Sequence, residues 1–217
     1  MFIQIPTETL KQVYGDHPKT TLYFSGNPVV RGIFWSRLKT LYALLSEVDH
    51  SAHHVVDFGG GNGIFMPTLS QLFQRVTCLD LDTGRAAKIA AQFHLKNVTL
   101  RTADLNHETR LDTPADVVIA ADVLEHFQDL SRPVYAISSL LKDHGELYTS
   151  QPTENRLYVF LRTLTNQQKP EDHYHTGHEV EDFLARHGFQ LVVRKYIPSY
   201  LFPLFIISRW SKTGPGV

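Results

Sequence analysis

Cysteine is almost missing from this chain. Cys78 is the only one among 217 residues, so no disulfide can form within it, and a reducing compartment suits such usage. Net charge is nearly missing too. The 21 basic and 22 acidic residues leave −1 at pH 7, which provides no basic field for nucleic acid. Long apolar runs are absent as well. The nearest, Tyr196 to Ile207, is broken by Pro198 and Pro203 and falls short of the ~20 residues that span a bilayer. The opening Met-Phe-Ile-Gln-Ile-Pro-Thr-Glu lacks the basic stretch and apolar segment of a secretion signal. No repeat or low-complexity tract is visible. These absences lead to the expectation of a cytoplasmic protein with no transmembrane segment. A single domain over 1–217 is expected, with 42% hydrophobic residues available for its core.

What the chain does have is a glycine-rich stretch at 55–63, Val-Val-Asp-Phe-Gly-Gly-Gly-Asn-Gly. Two β-branched residues lead to Asp57, glycines fall at Gly59, Gly61 and Gly63, and an apolar-periodic run begins at Ile64. A buried strand that ends in a glycine turn opening a helix is how α/β proteins hold nucleotide-like ligands. Glycine allows a tight turn and lets backbone approach the ligand without an intervening Cβ. The helix start beyond it offers free N–H groups. A dinucleotide loop has the spacing Gly-x-Gly-x-x-Gly/Ala. Counted from Gly59 that template needs Gly or Ala where Ile64 stands, and counted from Gly61 where Met66 stands.

The rest of the chain alternates strand and helix signals. A helical period runs over 29–46. Strands are expected at His54–Phe58, Val76–Leu81, Val98–Thr102, Asp116–Ala120 and Glu146–Ser150. Helices are expected over Ile64–Phe73, from Arg85 behind an Asp82 cap, over Leu130–Leu141 and over 155–166. Thr176-Gly-His-Glu179 matches a capping box, so 177–187 reads as a helix closed by Gly188. Gln190–Lys195 and Phe205–Trp210 follow as strands without a helix between them, which requires one to run antiparallel. The expectation is an α/β, doubly wound, mostly parallel seven-stranded sheet with helices on both faces and the last strand antiparallel.

In such a sheet the ligand crosses the carboxyl ends of the strands. Asp80 ends strand two about 20 residues beyond the glycine loop, where an acid accepts hydrogen bonds from ribose hydroxyls. Strand three ends Arg101-Thr-Ala-Asp104-Leu105, and strand four runs into Ala121-Asp122-Val-Leu-Glu-His126-Phe127. Leu141-Lys-Asp-His-Gly145 and Gln151-Pro-Thr-Glu-Asn155 follow.

Asp57-x-Gly59-x-Gly61-x-Gly63 resembles motif I of the class I S-adenosylmethionine-dependent methyltransferases. The segment from Asp122 to His126 and the Pro-x-Glu-Asn at 152–155 resemble the small-molecule branch related to quinone-biosynthesis enzymes. The resemblance covers about residues 53–190. His144 and Asp143 depart from that branch's usual Leu-Lys-Pro-Gly-Gly. The resemblance implies S-adenosylmethionine as cofactor and S-adenosylhomocysteine as product, held by Asp57, Gly59, Gly61, Gly63, Asp80, Leu81, Asp104, Leu105 and Asp122. Asp104 would bond the adenine amino group and Leu105 pack on the ring. It also implies an N-terminal helical cap over 1–48, and a substrate-side lid over 153–178. Arg31 or Arg37 would pair with the cofactor carboxylate, and Tyr23, Phe34 or Trp35 line the acceptor pocket.

The expected reaction is methyl transfer to an O, N or C nucleophile of a small-molecule acceptor. The alternative is a non-catalytic cofactor-binding partner or sensor of the same fold. Where the acceptor must lose a proton, imidazole has the right pKa; His126, His173 and His175 are the candidates. Cys78 reads as core. No metal is expected. A catechol-type Mg²⁺ site from Asp122, Glu154 and Asn155, and Zn²⁺ at the 173–178 histidines, are both considered and set aside, so chelators are expected to leave activity intact. Neither the acceptor nor the oligomeric state is legible.

Overall fold

In the computed structural model, residues 1–14, 22–51, 53–106, 111–153 and 173–213 are described. Seven strands form one sheet: β1 (His54–Phe58), β2 (Arg75–Asp80), β3 (Val98–Thr102), β4 (Ala115–Ala121), β5 (Leu141–Pro152), β6 (Phe189–Pro198) and β7 (Pro203–Lys212). Their order is β3-β2-β1-β4-β5-β7-β6. The first five pair in parallel, and β7 runs antiparallel to both β5 and β6. The chain therefore reverses at β1, passing first outward to β3 and then to β4. That reversal opens a crevice at the carboxyl ends of β1 and β4.

Both faces of the sheet are covered because alternate strand residues point to opposite sides. Val55, Val76, Val117, Ile119, Tyr148, Phe205 and Ile207 join one apolar cluster. It also contains residues of α1 (Thr7–Tyr14), α2 (Pro28–Leu45), α3 (Met66–Leu72) and α4 (Gly84–Gln92). Val56, Val118, Ala120, Leu147 and Trp210 join the other, together with α5 (Ser131–Leu140) and α6 (Gly177–Arg186). This two-sided burial is why the central strands read as continuous apolar runs.

Several boundaries differ from expectation for local reasons. α3 starts at Met66 because Ile64 and Phe65 belong to the preceding turn, where the Met66 N–H donates to the Gly63 carbonyl at 3.2 Å. Pro67 then suits the first helical turn, having no N–H to leave unpaired. β5 begins five residues early, and His144 sits in it with φ +61, taking the left-handed conformation that a glycine would hold without strain. α4 is bounded by Thr83, yet Asp82 still accepts the Gly84 N–H at 2.8 Å, so it satisfies a helix-terminal amide as a cap does. The capping box at Thr176 and Glu179 forms in full, and Gly188 has φ +84 after α6. The helix expected over 155–166, and most of the 153–178 segment, lie outside the described residues.

Candidate functional site

The loop from β1 to α3 is folded by its own backbone. The Gly59 and Gly60 N–H groups both donate to the Leu79 carbonyl, at 2.8 and 3.2 Å, which ties the loop to the end of β2. Gly59, Gly61 and Gly63 all have positive φ. They differ in what surrounds them. A Cβ on Gly61 would find nothing nearer than 3.9 Å, so a side chain there would meet no clash. A Cβ on Gly63 would meet the backbone of Ala86 in α4 at 3.0 Å. Gly60, which the motif spacing passes over, is packed just as tightly: a Cβ there would lie 2.6 Å from Cys78 Sγ and 2.7 Å from Asp57 Oδ2. The signal for it was three glycines in a row. The spacing alone explained only two.

Asp57 lies buried beneath this loop. Burial, reinforced by the Asp80 charge, pushes its carboxyl up to about 7. Burial likewise pushes the Cys78 thiol well above its ordinary value, in keeping with a core residue. Asp80, at the end of β2, accepts the Gly61 N–H on Oδ2 at 2.8 Å and the Asp82 N–H on Oδ1 at 3.1 Å. One carboxylate thus orders the glycine loop and the entry to α4 together.

Beyond Asp80 opens a cleft of about 730 Å³. Asp80, Leu81, Asp104, Leu105 and His126 all line it. Leu81 is exposed and Leu105 buried, so the cleft has apolar walls from two strand ends and carboxylates beside them. Asp104 accepts the Asn106 backbone N–H at 2.9 Å, a turn that fixes its direction.

Asp122 takes a different position. It has φ +54, its N–H donates to the Ser150 carbonyl at 2.8 Å, and its Oδ1 accepts the Ser150 hydroxyl at 3.0 Å. Its Oδ2 pairs with the Arg37 guanidinium. Arg37 is 3% exposed, lies over the rings of Phe34 and Phe205 at 4.4 and 4.5 Å, and donates to the Tyr23 hydroxyl at 2.9 Å. Asp122 therefore faces α2 and β7. Arg31 donates to the Ser25 carbonyl at 2.6 Å. Trp35 donates to the Tyr23 carbonyl at 3.0 Å, so the aromatics of this segment pack around Arg37.

The three histidines separate into two groups. After β4 a helical turn, Leu124–His126, places His126 with its ring edge-to-face on His173 at 4.7 Å. The Tyr174 N–H donates to the Glu125 carbonyl at 2.8 Å and so fastens the His173 segment to that turn. His175 instead contacts the Gln128 carbonyl through Nε2 at 3.3 Å.

A reversed parallel sheet with a glycine loop after β1, an acid at the end of β2 and another just beyond β3 is the arrangement in which α/β proteins hold nucleotide-like ligands at their strand ends. Comparison makes the class specific: a family described as a methyltransferase domain matches residues 32–193. The chain belongs to that family. Among solved structures, it is similar to magnesium protoporphyrin IX methyltransferase from Synechocystis PCC 6803, which has S-adenosylhomocysteine bound. The TM-score is 0.70 at 19% identity, over 94% of this chain and 93% of that one. It is also similar to the N-methyltransferase NodS from Bradyrhizobium japonicum WM9, again with S-adenosylhomocysteine. There the TM-score is 0.67 at 15% identity, over 94% and 96%. A polyketide synthase-nonribosomal peptide synthetase of Aspergillus clavatus is 29% identical over 134 residues, 56% of this chain. The chain spans 3% of the length of that relative.

Proposed function

We propose that this protein transfers the methyl group of S-adenosylmethionine to an O, N or C nucleophile of a small molecule, in the cytoplasm. The observation that carries the reading is Asp80. It bonds the half-buried Gly61 amide and shares one cleft with Asp104. In this reading Asp80 takes the ribose hydroxyls, Asp104 the adenine amino group, and Leu81 and Leu105 the ring faces. Gly61 lets the methionine portion approach backbone. Methyl transfer from a sulfonium is an in-line displacement: the acceptor lone pair forms the new bond while the C–S electrons return to sulfur. The protein therefore contributes alignment and exclusion of water. Where the acceptor must lose a proton, the Glu125, His126 and His173 group handles it, because His126 lines the cleft.

Calorimetry tests the cofactor. S-adenosylmethionine and S-adenosylhomocysteine should bind, and NAD and NADP should not; a nicotinamide preference would overturn the reading. Asp57 adds a second observable. Its value of about 7 lies above the ordinary 3.8, so its contribution favours the folded state most fully below that ordinary value. The contribution is lost as pH rises toward 7. A cation bound above the loop favours the ionised form. Binding at about pH 6.5 should therefore release a proton, seen as a heat that depends on the buffer's ionisation enthalpy. Release should be larger for the sulfonium than for the product. Formation of S-adenosylhomocysteine in the presence of a metabolite extract then separates an enzyme from a silent binder.

Asp80→Ala should weaken S-adenosylmethionine binding by about 1.5–3 kcal/mol, the range for hydrogen bonds to a charged acceptor. The loss should shrink for an analogue lacking both ribose hydroxyls. An equal loss with the two ligands would assign Asp80 to ordering Gly61 and Asp82 alone.

A further inference from the structure

The turn after β4 and the segment leading into α6 bring three metal-ligand side chains together. Glu125, His126 and His173 each offer one ligand atom, and these atoms all lie within 4.8 Å of one another. Some point then lies within about 2.8 Å of all three, and bonds of ~2.1 Å to imidazole and carboxylate require side-chain shifts under about 1 Å. Glu125 is buried at 1% exposure, while both imidazoles are partly exposed. Among the described residues the site thus combines a buried carboxyl group with two imidazoles that solvent partly reaches. Its two halves come from chain segments 47 residues apart, and the Tyr174-to-Glu125 backbone bond holds them in register. Two neutral imidazoles and a carboxylate satisfy a divalent transition ion while leaving a coordination position vacant, as catalytic zinc sites do.

We infer that Glu125, His126 and His173 bind a divalent transition-metal ion at the edge of the cofactor cleft, with its open position turned toward the acceptor. This deepens the methyl-transfer reading, on which the acceptor role rests, and reverses the expectation that no metal is used. An ion there selects an acceptor carrying a hydroxyl, because a coordinated hydroxyl loses its proton near neutral pH. The proton passes to water. The oxygen lone pair forms the C–O bond, the C–S bond breaks, and its electron pair stays on sulfur. His126 and His173 then serve as ligands, and no free imidazole base is needed.

The test uses the whole chain, stripped by chelation, without cofactor or acceptor. Titration with Co²⁺ should give visible d–d bands at one ion per chain, and Zn²⁺ should displace them. His173→Ala, on a partly exposed segment that leaves the sheet intact, should weaken binding by at least about 100-fold, since changes even one shell out cost about 10–100-fold. Glu125→Gln should do the same, with S-adenosylhomocysteine affinity reporting that it remains folded. His53→Ala, at the separate His50–His53 pair where the Nδ1 atoms lie 3.1 Å apart, should change nothing. Absence of the bands, or bands lost in His53→Ala but kept in His173→Ala, overturns the site. Either result leaves cofactor binding standing, so failure here is distinguishable from failure of the methyltransferase reading. If the ion binds as described, turnover with a hydroxyl acceptor should be lost on chelation and return with Zn²⁺ or Co²⁺. Persistence of full turnover in the stripped protein overturns the acceptor role.

Discussion

Gly61→Val is expected to give a folded protein that no longer binds S-adenosylmethionine, while Gly63→Val is expected to destabilise the fold itself. The two glycines lie two residues apart and both have positive φ, +52 and +74. A branched residue in that region costs about 1–3 kcal/mol in either place. What separates them is the space a side chain enters. At Gly61 the nearest atoms to a Cβ are the Gly59 carbonyl oxygen at 3.9 Å and Asp80 Oδ2 at 4.0 Å, so valine meets no clash and projects toward the side proposed for the ligand. Cofactor affinity should fall by at least about 100-fold, because the backbone contact that glycine permits is blocked. At Gly63 the Cβ would stand 2.3 Å from Met66 Cε and 3.0 Å from the Ala86 Cα. The methionine tip can turn away, but the α4 backbone cannot. Overpacking of about 1–3 kcal/mol therefore adds to the φ strain. Urea unfolding followed by calorimetry reads both effects. Normal cofactor affinity in Gly61→Val would mean that the loop does not hold the ligand.

The parts of this molecule that were legible in the sequence are those whose determinants are local. Val55-Val56 and Val117-Val118 announce strands buried on two faces, and each pair divides between the two clusters. Thr176 and Glu179 specify a helix start within four residues. Asp80 could be placed at a strand end because a fixed crossover length separates it from the glycine loop, and Asp104 because it follows the next strand. Determinants that depend on distant residues were not legible. Gly60 is required by Cys78, on another strand. His144 takes a glycine conformation that its side chain gives no reason to expect. The partner of Arg37 is Asp122, 85 residues away, so the sequence offered each for the cofactor and neither for the other. Glu125 stands out in the sequence only as part of a motif, because its meeting with His173 depends on how the chain returns to the sheet before α6. Of the three candidate histidines, two come together at the cleft edge and His175 turns to the Gln128 carbonyl.

The Arg37–Asp122 pair carries the second large expected effect. Arg37→Ala should lower the free energy of unfolding by about 2–4 kcal/mol. Removing one partner of a fully buried pair costs about 3–5 kcal/mol, and the figure here is reduced because water still reaches Asp122, whose side chain keeps 23% exposure. Part of the loss comes from packing, since the guanidinium lies over Phe34 and Phe205 and stacked cations contribute about 0.5–2 kcal/mol. A double-mutant cycle with Asp122→Asn isolates the charge. Asparagine tolerates the φ of +54 as well as aspartate does, and it can still accept the Ser150 hydroxyl, so that variant removes the ion pair without forcing the backbone. The two changes should couple by at least about 1 kcal/mol, against the ~0.3–0.5 kcal/mol within which independent sites add. The coupling should survive added salt, because a buried pair is poorly screened. Additive losses would assign the effect of Arg37→Ala to contacts other than the Asp122 pair, such as its aromatic stacking and its hydrogen bond to Tyr23. Coupled losses would make the pair the tie between the N-terminal α2 and the end of β4, so that the backbone entering the Glu125–His126 turn is held by a helix on the opposite face of the sheet from α5 and α6.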